Sequence, residues 1–309
     1  MALQMESSAV TFAILIATKN RCAQLCITLE SLQPYLSNSA VRIVVYDDGS
    51  TDETFEVVKN KFPTVELWRN EISKGYLYCR NQLLNKIEAD YLISLDDDAH
   101  FLTENALELI HHTFDSQPKA GVLAFRIFWS TQKPATTATV DVPQVVKSFV
   151  GCGHVWRKKA WDVLPDYPEW YQFYGEENWA GLQLLQQGFA VYYVPEILVH
   201  HRVDLAQRAQ NKSGFTFRYR CSLRADWYTY FMLYPFPKAC YFWAYSLAKQ
   251  LQKIGGKGQF RVVKPLLLAL FDLLRQLPHL LKNRNPLTPA KYLHFQQLNE
   301  AKIYWNPEK

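Results

Sequence analysis

The chain has 309 residues, 49% of them apolar, enough to bury a large core as one domain with an appendage or as two domains. Asp226, Lys238, Lys264 and Asp272 break its longest apolar stretches, which excludes a clean membrane span, and the N-terminus lacks the residue order of a signal peptide. The net charge of +5 conceals an asymmetry: residues 1–204 hold 17 Lys and Arg against 25 Asp and Glu, whereas residues 205–309 hold 17 against 4.

Along residues 11–130, strand and helix signals alternate. Phe12–Ala17 reads as a compact apolar strand, followed by a polar turn and a helix from about Arg21 to Leu32. Val41–Tyr46 is a second strand ending in Asp47-Asp48-Gly49-Ser50-Thr51-Asp52, and Ser50 or Thr51 suits the N-cap of a helix through Val58. Val65–Trp68 is a short third strand, and a helix across Tyr76–Ile87 leads to the strand Tyr91–Leu95. Glu104–Phe114 is the next helix. This order predicts an α/β fold with a mostly parallel sheet between helices. Residues 131–148, rich in Thr, Pro and Ala, read as an irregular connection. Structure resumes at Val150–Trp156, then a helix from Glu176 through Gln187 and a strand at Val191–Val194, followed by Pro195 and the pair His200-His201.

Cysteines at 22, 26, 79, 152, 221 and 240 fit neither a zinc pattern nor a dense disulfide framework. Cys22 and Cys26 lie one helical turn apart and could bind metal, but the spacing favours free thiols and a reducing cytoplasm.

The chemistry concentrates where the fourth strand ends, in Asp96-Asp97-Asp98. Three adjacent carboxylates repel one another, so positive charge belongs among them. The crevice outside the carboxyl ends of strands is where α/β sheets bind ligands. A divalent cation carrying a phosphorylated ligand suits those hard oxygen donors. Alone, an Asp-x-Asp after a strand is more often a solvated turn than a metal site. A second acidic pair, Glu176-Glu177, follows the aromatic stretch Tyr167–Tyr174. A carboxylate there can take the proton of a reacting hydroxyl, or simply complement a helix N-terminus.

Taken as an ordered series over roughly residues 10–205, these pieces resemble the nucleotide-sugar-dependent glycosyltransferases of family 2. The series is Ala17-Thr18-Lys19-Asn20-Arg21, Asp47–Asp52, Lys74-Gly75 with Arg80-Asn81, Leu95–Asp98, Tyr174–Glu177, and Pro195-Glu196 with His201. The resemblance implies a GT-A type (Rossmann-like) catalytic domain over 1–204, with a helical extension over 205–309. It implies that Ala17, Thr18, Asn20 and Arg21 border the nucleotide, that the pair Asp47 and Asp48 contacts the base, and that Lys74, Gly75 and Arg80 lie on the donor side. A carboxylate accepting an imide N–H would select a pyrimidine, hence a UDP- or dTDP-sugar. Asp98 would be the main ligand of Mg2+ or Mn2+, with Asp96 or Asp97 meeting the ribose or the metal and His201 reaching the metal. Glu177 would be the base of an inverting transfer and Glu176 its neighbour on the acceptor. Trp179, Ala180 and Gln183 depart from the family's usual continuation, so a non-catalytic sugar- or partner-binding module is the alternative.

The tail combines Arg218-Tyr219-Arg220, Arg224, Trp227–Phe231 and the Leu-rich Val262–Leu281 with Lys264, Arg275 and Lys282. Basic and aromatic residues suit an interfacial helix on an anionic membrane, as expected of a cytoplasmic, peripheral enzyme acting on a lipid-linked or envelope glycan. Helices packed on the catalytic domain with basic outer faces are the plainer reading, and nucleic acid is not expected as a partner.

Overall fold

The computed structural model describes residues 10–204, 212–300 and 303–305. Its sheet opens with β1 (Phe12–Thr18), β2 (Val41–Asp47), β3 (Glu66–Arg69) and β4 (Tyr91–Asp96), paired in parallel in the order β3-β2-β1-β4. It continues through β5 (Ala99–Phe101), β6 (Ala120–Trp129), β7 (Gln144–Val146), β8 (Gly153–Arg157), β9 (Ala190–His201) and β10 (Ile303–Trp305). Beyond β4 the order is β8-β6-β9-β5, with β8 antiparallel to both its neighbours, so the sheet is mixed. The first helices are α1 (Cys22–Ser31), α2 (Gln33–Leu36), α3 (Thr54–Lys61), α4 (Tyr76–Lys86) and α5 (Ala106–Ser116). Then come α6 (Lys158–Trp161), α7 (Glu176–Gln186), α8 (Lys212–Leu233), α9 (Phe236–Gly255), α10 (Val263–Lys282) and α11 (Pro289–Gln297).

Strand periodicity divides the core. Side chains alternate across a strand, so Ile14 and Ile16 join Leu25, Val45 and Ile93 on one face, while Ala13 and Leu15 join Val44, Leu92 and Trp156 on the other. The second cluster continues into Trp227, Tyr228, Phe231, Leu266 and Leu273 of α8 and α10. The tail is therefore packed onto the sheet domain, and the expected boundary at 204/205 adjoins a segment outside the described residues. Buried Trp227 also donates to Ser246 Oγ at 3.0 Å, tying α8 to α9. Truncating a buried side chain of this size costs about 3–5 kcal/mol. Among the described residues no helix is long and apolar enough to cross a membrane, and the cysteines are free thiols.

Two features of the sheet differ from the sequence reading. The connection at 131–148 contains β7, which pairs with β9. The ninth strand also does not stop at Val194. Phe125 faces Val194 and Arg126 faces Leu198, so Pro195, Glu196 and Ile197 form a bulge where proline is tolerated, and the strand runs on to His201. Pairing of Ala99 with His201 then sets the histidine beside the turn that follows β4.

Candidate active site

Register brings the acidic residues together. Thr18 is level with Asp47 and Ala17 with Asp96, so the carboxyl ends of β1, β2 and β4 open on one crevice. The three aspartates nevertheless take three separate roles. Asp97 turns inward, its carboxylate accepting from Thr18 Oγ1 at 2.8 Å and lying 2.7 Å from Arg21 Nε. Burial pushes its pKa up to about 7 despite the Arg21 charge. Asp98 pairs with Arg21 Nη2 and, at 3.0 Å, with His201 Nε2. Burial would raise Asp98, but the His201 hydrogen bond and charge, with help from Arg21, hold it at about 2. Asp96 is the more open carboxylate, 2.6 Å from Arg80 Nη2 and 4.0 Å from His201 Nε2.

Asp96, Asp98 and His201 each offer one ligand atom, all within 4.8 Å of one another. Two carboxylate oxygens and one imidazole nitrogen suit Mn2+ or Mg2+. Asp97 stands outside this trio, its two oxygens meeting Arg21 and Thr18. It still borders the larger cleft beside Asp96 and Asp98. Arg21, read as a nucleotide contact, is here the counter-charge of Asp97 and Asp98.

The second acidic pair begins α7. Glu176 is buried, held by the Tyr76 hydroxyl and lying 3.7 Å from Arg80 Nη1. Glu177 sits against Gly151: a Cβ added there would lie 2.6 Å from Glu177 Oε1 and 3.3 Å from Arg80 Nη1. Burial, then the adjacent Glu176 carboxylate, pushes Glu177 up to about 8. The preceding segment is strained, with Gln172 and Tyr174 at positive φ beside Gly175, a conformation that non-glycine residues adopt only when the surroundings over-determine it. A cleft of about 640 Å³ is lined by Ala17, Arg80, Asp96, His201, Glu176 and Glu177. A neighbouring cleft of about 1170 Å³, which includes Asn20, Arg21, Asp98 and Arg202, shares Asp96, Phe173 and His201 with it. The two acidic clusters thus face connected space.

Other expected residues are held in loop contacts. Asp48 is buried and saturated: it accepts from Asn70 Nδ2 at 2.8 Å, Ser73 Oγ at 2.6 Å, Lys74 N at 2.8 Å and Gly75 N at 2.9 Å. Burial opposes its charge, but these four bonds keep its pKa below the ordinary value. Asp47 is fully buried, accepting from Ser50 N at 2.9 Å and lying 3.5 Å from Arg69 Nε. Asp48 thus organises the loop at Ser73–Gly75, whereas Asp47 Oδ2 has no hydrogen-bond partner among the described residues. Lys74 folds its ammonium over the Tyr78 ring and lines neither cleft. Gly75, at φ 98°, does make the turn expected of it. Asn20 ties the loop after β1 to the loop after β2, its Oδ1 accepting from Thr51 N at 2.7 Å.

Two elements escaped the sequence reading. Arg80 was expected on the donor side. Its buried guanidinium instead bridges Asp96 and Glu176 and donates to the Gly151 carbonyl at 2.8 Å, joining the two acidic clusters. The other is α8. Arg218 borders the larger cleft, while Ser222, Ala225 and Asp226 border a small recess of about 220 Å³ shared with Glu177 and Tyr174. Their spacing puts all four on one helical face, a pattern that was legible but carried no motif. Burial alone pushes Asp226 up to about 6.

A family model described as glycosyl transferase family 2 matches residues 13–170, just over half of the chain. The chain belongs to this family. Short stretches resemble the SPbeta prophage-derived glycosyltransferase SunS of Bacillus subtilis (strain 168), 33% identical over 67 residues, and an uncharacterized glycosyltransferase of Haemophilus influenzae, 34% identical over 71 residues. These matches cover 20% and 22% of this chain and only 15% and 28% of the relatives. The family 2 chain shares the GT-A fold of solved structures. The mannosyltransferase PcManGT from Pyrobaculum calidifontis, in complex with GDP-Man and Mn2+, is 14% identical with a TM-score of 0.53, covering 92% of this chain and 78% of that one. GalNAc-T7 with UDP, GalNAc and Mn2+ is 19% identical with a TM-score of 0.51, covering 62% and 43%.

Proposed function

We propose that this chain transfers a sugar from a nucleoside-diphosphate donor to a hydroxyl of a glycan or lipid-linked acceptor, inverting the anomeric centre. The observation that carries this reading is the cleft in which Arg80 links Asp96 of the candidate metal trio to Glu176 of the acid pair. Glu177 accepts the acceptor hydroxyl proton as the oxygen attacks the anomeric carbon, and the carbon–oxygen bond to the diphosphate breaks with its electron pair leaving on phosphate. Asp96, Asp98 and His201 would hold the divalent cation, which when bound supplies Lewis-acid stabilisation of the departing diphosphate. Glu176, fixed by Tyr76 and Arg80, orients the start of α7 so that Glu177 faces the cleft. Ser222 and Asp226 contribute polar groups on the acceptor side, and Tyr174 offers an aromatic face.

One solved neighbour holds UDP and the other GDP-Man, so donors of both base classes are to be screened. A hydrolysis screen over UDP-, dTDP- and GDP-sugars, with Mg2+, with Mn2+ and with chelator, tests the proposal. Metal-stimulated release of a nucleoside diphosphate from at least one donor is expected. A purified, folded chain that releases none and is not thermally stabilised by any nucleotide with metal would favour the binding-module reading.

A further inference from the structure

Helix α10 is apolar on the side that packs and also on the side that does not. Its inner face buries Leu266, Ala269, Leu273 and Leu280. Its outer face exposes Leu267 at 61%, Phe271 at 62%, Leu274 at 70% and Leu281 at 43%. At about 100° per residue these four, with Pro278, fall within an arc of about 80°. Lys264, Arg275 and Lys282 then lie together on one flank of that stripe, about 60–80° from its centre. A helix packed on a domain with a solvated back would show polar residues where α10 shows leucine and phenylalanine. Phe260, 73% exposed in the turn leading into α10, extends the apolar surface, with Lys257 and Arg261 beside it.

Charge decides what covers this surface. The only carboxylate of α10, Asp272, points inward, where Arg220 Nη2 at 2.6 Å and Arg224 Nη1 at 3.3 Å neutralise it. Lys264, Arg275 and Lys282 have no ion-pair partner among the described residues. A second copy pairing through the same face would bring the same cations and no acid, whereas an anionic bilayer supplies both apolar depth and negative charge.

We propose that the outer face of α10 docks on an anionic lipid surface, with Leu267, Phe271, Leu274 and Leu281 entering the acyl boundary and Lys264, Arg275 and Lys282 meeting the headgroups. The helix lies along the membrane rather than across it, because its other side is the core of the protein. The Arg220–Asp272–Arg224 cluster fixes α10 to α8, whose opposite face carries Ser222 and Asp226 beside the cleft. Two helices, α10 and α8 with axes about 8–10 Å apart, therefore separate the docking face from that recess.

The test is co-sedimentation of the full chain with vesicles of phosphatidylcholine alone or with about one-third phosphatidylglycerol, and it needs no turnover, so it fails or succeeds apart from the transfer reaction. The parent chain is expected on the anionic vesicles, with binding weakened by salt. Phe271→Ser with Leu274→Ser should reduce partitioning at least about tenfold. Lys264→Gln with Arg275→Gln and Lys282→Gln should abolish the preference for anionic lipid. All five side chains are exposed, so unchanged thermal melting serves as the folding control. Absence of the parent from anionic vesicles would overturn the proposal, as would equal binding by the parent and the serine variant. So would a dimer that Leu274→Ser dissolves, or retention on single-stranded oligonucleotide, where vesicles are not bound.

Discussion

Replacing Glu177 by Gln keeps the size of the side chain and removes both its charge and its ability to take a proton. A positioned general base contributes about 10²–10⁴-fold, which is about 3–5.5 kcal/mol of barrier. Turnover should fall by that factor while donor affinity, set at the far end of the cleft, stays within about twofold. Stability should move the opposite way. The folded pKa of about 8 lies above the ordinary 4.5 because burial and Glu176 disfavour the charge. A carboxyl raised in this manner contributes stability that is fully present below the unfolded value and is lost as pH rises through the folded one. Between about pH 5 and about pH 9 the parent should therefore lose stability relative to Glu177→Gln, by on the order of 1–3 kcal/mol once solvent screening in the open cleft is allowed for. The assay is paired: thermal melting of both proteins across that range, and initial rates on the best donor and acceptor. Parent rates should also climb with pH toward about 8, as the base becomes ionised. A variant retaining more than about one-third of parental turnover would refute the assignment of the base, and a stability difference independent of pH would refute the electrostatic account.

Four further outcomes follow from the geometry. Arg80→Met leaves Asp96 and Glu176 without their shared cation and should lower unfolding free energy by about 3 kcal/mol, the low end for a broken buried pair because Asp96 is partly solvated, as read by urea titration. Gly151→Ala drives a methyl into Glu177 Oε1 and should cut kcat by about tenfold to a hundredfold, while the chain still melts cooperatively. Chelation should abolish transfer, with Mn2+ or Mg2+ restoring it to the parent but not to Asp98→Asn, measured as nucleoside diphosphate released. Asp226→Asn should raise the acceptor KM several-fold and leave hydrolysis of donor in water unchanged; equal effects on both would place Asp226 outside acceptor binding.

The sequence by itself determined the parallel half of the sheet. Apolar runs at Phe12–Ala17, Val41–Tyr46 and Tyr91–Leu95, each ending in polar residues, fix both the strands and the edge at which chemistry collects, because side-chain burial repeats locally. It also named the acidic groups and the histidine of the candidate site: Asp96, Asp98, Glu176, Glu177 and His201 stand around connected clefts. Local pattern could not divide labour within Asp96-Asp97-Asp98, since which carboxylate turns inward depends on Thr18 and Arg21 arriving from another strand. Nor could it show that Asp48 is saturated by Asn70, Ser73, Lys74 and Gly75, or that Arg80 spans two clusters, Asp96 being 16 residues away and Glu176 far along the chain. The continuation of β9 past Pro195 was hidden for the same reason, as a bulge is defined by the partner strand. Charge pairing, hydrogen-bond saturation and which face of α8 or α10 is covered are properties of contacts between distant segments, and only the tertiary structure decides them.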